Sequence, residues 1–139
     1  MNPLWISILQ HTLGLDSYGQ PPKGRVPCSD DDFPNCYRNN YCIGPECREW
    51  QTLCDLVVAG LMVDAGAKNA LGGMHVFHAT LAGYEAVRRH SPRPPKQTKA
   101  QRRWSHYRDV REVCPDLTFG QYLKAPWRKE SEERAGIYA

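Results

Sequence analysis

No stretch of this sequence is apolar for long enough to cross a bilayer. The run LWISIL at residues 4–9 falls far short of the roughly 20 residues that a spanning helix needs. It comes without a basic leader or a small-residue cleavage site, so a cytosolic protein with no membrane partner is expected. The six cysteines contain no Cys-x-x-Cys pair, the usual start of a zinc tetrahedron. With no export signal beside them, a three-disulfide framework is not expected either, and reduced thiols are the simpler reading. No internal repeat is present. Acid is almost missing between residues 88 and 111, where Asp109 alone stands among nine cations.

What is there fits one compact domain with an appendage. The 139 residues and 15.8 kDa, 41% hydrophobic and 24% charged, allow a modest core and make a two-domain enzyme a poor fit. The net charge of +3 is unevenly spread: residues 1–87 carry −4, residues 88–111 carry +8 and residues 112–139 carry −1.

A helix is expected from Pro3 to Leu13, with Asn2 as N-cap, Pro3 in the first turn and Gly14 as terminator. Leu4, Trp5, Ile8, Leu9 and Leu13 form its apolar face. Residues 16–44 then lose all periodicity among Gly, Pro, Asn and Asp, as a long loop does. A second helix is expected from Pro45 to Gly60, with Glu46 and Glu49 near its positive end and Trp50, Leu53, Cys54, Val57 and Leu61 inward. Residues 61–65 and 74–79 read as two strands around a Gly-rich turn, a β-wing. Thr80 then caps a helix to about His90, with Leu81, Tyr84 and Val87 inward. The fold class expected is α+β: helix, helix, two-stranded wing, helix over residues 1–90, with the loop 16–44 inserted. A Pro-rich linker follows at 91–99, then a helical arm at 100–124 opened by capping-box patterns at Thr98/Gln101 and Thr118/Gln121. Residues 125–139, rich in Glu, Lys and Arg, are expected to form a flexible tail.

The residues Gly60, Leu61, Met62, Gly72, Gly73, Phe77, Thr80 and Gly83 stand in an order that resembles the helix–wing–helix run of winged-helix proteins. A larger part of the chain, about 4–123, resembles a family of small uncharacterised proteins encoded by bacteriophages and prophages. That likeness rests on ILQHTLGLDSYGQ at 8–20, YRNNYCIG at 37–44, LVVAGLM at 56–62 and the later SPRPPK and FGQYL stretches. Here an insertion separates the first two blocks, and Asn40 stands where His is common in the family. The resemblance implies a mobile-element accessory protein working in the host bacterial cytoplasm.

The basic arm carries the clearest functional signal. Arg88, Arg89, Arg93, Lys96, Lys99, Arg102, Arg103 and Arg108 are spaced closely enough to displace counterions from nucleic-acid phosphate, and Trp104 and Tyr107 are candidates to stack on bases. The bland alternative is a solvated helix face. The helix before the wing, which reads DNA in winged-helix proteins, exposes Arg48, Glu49, Gln51, Thr52 and Asp55, and its two acids repel phosphate. The loop Tyr37, Arg38, Asn39, Asn40 and Tyr41 has a composition suited to an interaction site, although Asn also serves turns.

Cys28, Cys36, Cys42 and Cys47 offer four donors for a structural zinc, but their spacing favours partly buried thiols, and no cofactor is expected. Asp30, Asp31 and Asp32 read as a solvated acidic turn, since three consecutive carboxylates cannot face one cation. His75 and His78 fall on opposite faces of one strand. No catalytic constellation emerges. The expected function is a non-enzymatic phage accessory protein that binds nucleic acid through its basic arm on a winged-helix-like scaffold. The alternative is an inhibitor or adaptor docking on a host defence or nucleoprotein complex, anti-defence or anti-CRISPR-like.

Overall fold

A computed structural model of the chain describes residues 1–22 and 33–138. Cys28 and the acidic run Asp30–Asp32 lie outside the described residues. The chain separates into two compact units, Met1–Pro94 and Pro95–Ala139. No helix among the described residues is long and apolar enough to cross a membrane.

The N-terminal unit is α+β. Helix α1, Pro3–Leu13, starts where Asn2 Oδ1 accepts the Leu4 N–H at 2.9 Å and stops at Gly14, whose φ of 68° is the left-handed conformation that Gly tolerates. A side chain there would also meet Tyr37, whose Cβ lies 2.8 Å from the position of an added Cβ. The expected single apolar face is too narrow: Ile6, Ile8, Leu9, Gln10, Thr12 and Leu13 are buried while Leu4 stays 52% exposed. The helix is covered on more than one side because a strand at His75–Ala79 and a helix at Leu81–His90 pack on it and the following loop folds back over its end.

That loop is not structureless as expected. Its end forms a strand, β1, Tyr41–Ile43, which pairs antiparallel with a later strand in the register Tyr41 to Phe77, Cys42 to Val76 and Ile43 to His75. The sheet therefore has three strands, with the strand His75–Ala79 in the middle, and not the two of the wing alone. A three-residue edge strand is too short to show an alternating pattern.

Helix α2, Trp50–Val58, begins five residues later than its charge pattern suggests, because Gly44 to Glu49 are taken up by turns. Strands β2, Met62–Ala67, and β3, His75–Ala79, make an antiparallel hairpin around a short 3-10 turn at Asn69–Leu71, with an irregular register between Asp64 and Ala67. Helix α3, Leu81–His90, follows directly.

The junction of hairpin and α3 is built by one set of backbone contacts. The Leu61 carbonyl accepts the Thr80 N–H at 3.0 Å. Thr80 Oγ1 donates to the Gly60 carbonyl at 2.7 Å and accepts the Gly83 N–H at 3.2 Å, so it caps α3 and ties the helix to the turn after α2. Gly83 lies so close to Leu61 that an added Cβ would fall 2.2 Å from that carbonyl oxygen. This approach sets the rotation of α3: Gly83, Tyr84, Ala86 and Val87 turn inward, and Leu81, expected inside, is 59% exposed.

The core joins Leu9 and Leu13 of α1, Leu53 and Leu56 of α2, Met62 and Phe77 of the hairpin, and Val87 of α3, each at 1% exposure or less. Burying each contributes roughly 1.5–3 kcal/mol. Cys36, at 1% exposure, belongs to the same cluster.

The C-terminal unit is helical: α4, Lys99–Val113; α5, Phe119–Lys124; and α6, Arg128–Arg134. Both capping boxes form: Thr98 Oγ1 accepts from Gln101 N while Gln101 Oε1 accepts from Thr98 N, and Thr118 and Gln121 repeat the exchange. The tail expected to be flexible instead holds α6, and Glu132 in that helix is fully buried.

Candidate functional site

The loop at 37–40 is an internal clamp. Backbone N–H groups of Tyr37 and Arg38 bond to the Leu13 carbonyl and that of Asn40 to the Thr12 carbonyl, which satisfies acceptors left open at the end of α1. The Arg38 guanidinium adds two bonds to the His11 carbonyl, at 3.1 and 2.7 Å, and brings a cation to the negative end of the helix. Partial burial, followed by the Arg38 charge, lowers the His11 pKa below its ordinary value. The His11 ring meets Tyr41 edge-on at 5.1 Å.

Asn39 has the most exacting role in this loop. Its Oδ1 accepts the Ala79 N–H at 2.7 Å and its Nδ2 donates to the Ala79 carbonyl at 3.0 Å. The side-chain amide thus stands in for a backbone partner just before β1 begins. Asn39→Ala is expected to cost about 1–3 kcal/mol, because it leaves a part-buried N–H and C=O at Ala79 unpaired. Urea unfolding checks this, and an unchanged midpoint would show that water replaces the amide. The hydrogen-bonding groups that made Arg38 and Asn39 candidates for a partner bond to the protein's own backbone, at an exposed site for Arg38 and a part-buried one for Asn39.

The cysteines do not assemble a metal centre in the described residues. Cys36 is in the core, Cys42 and Cys47 are exposed, and among the described residues no three His, Cys, Asp or Glu side chains gather at ligand distance. His75 Nδ1 faces the Asp64 carboxylate at 2.9 Å and its ring meets Trp50 at 4.8 Å, whereas His78 Nδ1 faces the Asn39 carbonyl. On α2, the Gln51 amide donates to Asp55 Oδ1 at 3.0 Å, so one of its few donors is already paired on the same helix.

The basic arm divides between the units. In the N-terminal unit Arg88 and Arg89 occupy the last turn of α3, where cations suit the dipole. Arg88 sits 5.8 Å from the Tyr84 ring centre, and Arg88 and Arg93 border a cavity of about 400 Å³ beside Tyr84, Val87 and Ser91. Lys96 is exposed at the start of the C-terminal unit.

Within that unit, α4 sorts its side chains by face. Arg103 turns inward, its Nε 2.8 Å from Glu132 Oε1, and Arg128 Nη1 lies 3.1 Å from Glu132 Oε2. Tyr122 donates to the same carboxylate at 2.9 Å, and Tyr138 donates to it as well. Burial by itself raises the Glu132 pKa, but the hydrogen bonds from Tyr138, Arg103, Tyr122 and Arg128 outweigh it and hold the carboxyl at about 2. Burial, then the bond to Glu132, drives the Tyr122 phenol well above its usual value. Tyr107 is 4% exposed and donates to the Leu117 carbonyl at 2.8 Å. Arg103 and Tyr107, two of the expected nucleic-acid contacts, are therefore structural. The sequence offers no direct sign of this, since the four donors around Glu132 are up to 35 residues apart.

On its outer side α4 presents Trp104, Arg108 and Arg111, all exposed, and Lys99 lies 4.4 Å from the Tyr138 ring centre. Among the described residues Arg89, Arg93, Lys96 and Arg108 face no carboxylate partner. The C-terminal unit holds ten Lys and Arg against six Asp and Glu, a net charge of +4, while the N-terminal unit carries −1. No family model, curated protein or solved structure matches the chain. The chemistry of its own side chains is what distinguishes one surface from another.

Proposed function

We propose that this chain is a phage-type accessory protein that acts by binding, with the outer face of α4 as its nucleic-acid contact and the N-terminal unit as a winged-helix-like body. The observation that carries this reading is the exposure of Arg108 and Arg111 beside Trp104 on one side of a helix whose unit has a net charge of +4. Exposed guanidinium groups on a stable helix release phosphate counterions on binding. The helix–hairpin–helix order supports the winged-helix likeness. Asp55 of α2, Glu49 at its N-cap and the pairing of Gln51 with Asp55 argue against that helix as a base reader.

The test is salt-dependent binding of labelled oligonucleotides by fluorescence anisotropy. Affinity is expected to fall steeply with salt. Arg108→Ala with Arg111→Ala is expected to flatten the log–log slope by roughly 2 and to weaken binding about tenfold or more. Absence of binding to any nucleic acid at low salt would sink the proposal, as would an unchanged slope in the double variant.

A second reading, docking of the N-terminal unit on a host protein, is favoured by the exposure of Val58 (89%), Leu81 (59%) and Val63 (47%) in a unit with little net charge. It predicts a stoichiometric complex that survives nuclease and is indifferent to the α4 double substitution.

A further inference from the structure

We propose that the nucleic acid taken by α4 is single-stranded, with a base stacked on Trp104. This rests on the nucleic-acid reading above and makes it more specific.

Trp104 is 48% exposed at the middle of a well-capped helix. One side of the ring is braced: Phe119 meets it edge-on at 4.9 Å and Tyr107 lies tilted against it at 5.3 Å. Tyr107 is fixed by its bond to Leu117 and by the rings of Phe119 and Tyr122 at 5.1 and 5.4 Å, so the support is rigid. A large aromatic surface that is held by neighbouring rings and still half exposed is what a stacking platform needs, because little side-chain freedom is lost when a base covers it.

The surroundings of Trp104 choose between ligands. Arg108 and Arg111 stand four and seven residues on, so all three side chains share one stripe, with rises of about 6 and 10 Å along the axis. Arg111 is exposed but anchored at its base, with its guanidinium 5.8 Å from the Tyr107 ring centre and its Nη2 donating to the Pro115 carbonyl at 3.5 Å. A strand running along this stripe sets a base on Trp104 and its phosphates beside the two guanidinium groups. Along its length a duplex cannot use the platform without being opened, because its interior base faces are already covered by stacking, and only its two end pairs are left to stack.

Lying deep in a groove would also bring the neighbouring sides of α4 against phosphate. Those sides carry Glu112 and Asp109, about 80° and 140° around the helix from Trp104 at 100° per residue. A contact restricted to the Trp104–Arg108–Arg111 stripe avoids Asp109 and meets only Glu112, which lies one turn beyond Arg108 at its edge. The tyrosine proposed from sequence as a second stacking residue is excluded by its burial, which leaves a single platform on this face of α4.

The experiment uses the full chain and four labelled probes of equal length: oligo(dT), oligo(U), a blunt DNA duplex, and a strand of abasic sites that keeps the phosphates and lacks bases. Oligo(dT) or oligo(U) is expected to bind at least tenfold more tightly than the duplex. Whichever of the two binds better shows whether the strand is DNA or RNA. Trp104→Ala is expected to weaken binding of the better strand by roughly 5- to 100-fold and to leave both the abasic strand and the salt slope unchanged. Trp104→Tyr, which keeps a stacking face, is expected to recover most of the loss and guards against a folding defect in the alanine variant. Duplex bound as tightly as single strand, or equal loss of abasic and base-bearing strands in Trp104→Ala, overturns the stacking proposal while leaving nucleic-acid binding intact. Failure of all four probes to bind overturns the parent reading as well.

Discussion

Glu132→Ala is expected to destabilise the C-terminal unit by about 3 kcal/mol, the low end of what breaking a buried ion pair costs. The carboxylate is fully buried, but Arg103 and Arg128 keep 26% and 23% of their side chains exposed, so the two cations left behind can turn to water. Hydrogen exchange locates the effect: protection over residues 99–138 should be lost while that of α1 to α3 is kept. Equal protection in the variant would mean that the four donors contribute nothing net. The same carboxylate makes the unit acid-sensitive. Its pKa is lowered on folding from 4.5 to about 2, so its contribution is complete above the unfolded value and is lost as pH falls from about 4.5 through about 2. The depressed pKa corresponds to on the order of 3 kcal/mol. Glu132→Gln keeps the shape, removes the charge and should flatten that part of the pH profile.

Gly83→Ala is expected to destabilise the N-terminal unit by about 2 kcal/mol or more, and the sign is the informative part. At an ordinary helix position the change gains about 1 kcal/mol from helix propensity. Here the new Cβ would lie 2.2 Å from the Leu61 carbonyl oxygen, a backbone atom held by the Thr80 N–H. Helix α3 must move away from the turn after α2, and Leu9 Cδ2, 3.2 Å from the same point, leaves little room on the other side. A fall of roughly 10 °C in melting temperature is the scale to look for in a unit of this size. A rise would show that the close approach relaxes without penalty.

These two sites differ in how far they can be read from sequence. The run Phe77-x-x-Thr80-x-x-Gly83 after Gly60-Leu61 states the junction almost completely. Phe77 enters the core, Thr80 caps and bridges, and Gly83 leaves space for a carbonyl. Its parts are local or carry a residue type that only one geometry requires. Glu132 is the opposite case. It sits in a segment that looks like solvated tail, and its partners at 103, 122, 128 and 138 are brought to it by three helices and the turn beyond them. Nothing in a charge count separates an Arg that faces water from one that faces a buried Glu, so Arg103 reads as a phosphate contact when it is an anchor. Strand β1 was hidden for another reason. Three residues are too few for periodicity, and the groups that place them, Asn39 and the loop amides, look the same in sequence as those of an interaction loop.

The candidate site was half legible. The cationic block and Trp104 stand out in composition, and the exposed stripe Trp104–Arg108–Arg111 keeps that signal. The loss of Tyr107 to the interior follows from its position on the inward side of α4, which becomes evident only when α5 and α6 supply something to pack against.

The arrangement around Glu132 also bears on the order in which the chain is made. Synthesis proceeds from the N terminus and units fold as they emerge. Arg103 and Tyr107 are synthesised before Glu132, and both the buried Ile137 and the Tyr138 donor to Glu132 follow it in the chain. The set of four donors around Glu132 is therefore complete only when residue 138 has been added. A polypeptide interrupted a few codons earlier would carry a complete N-terminal unit joined to an open, proteolytically vulnerable basic helix.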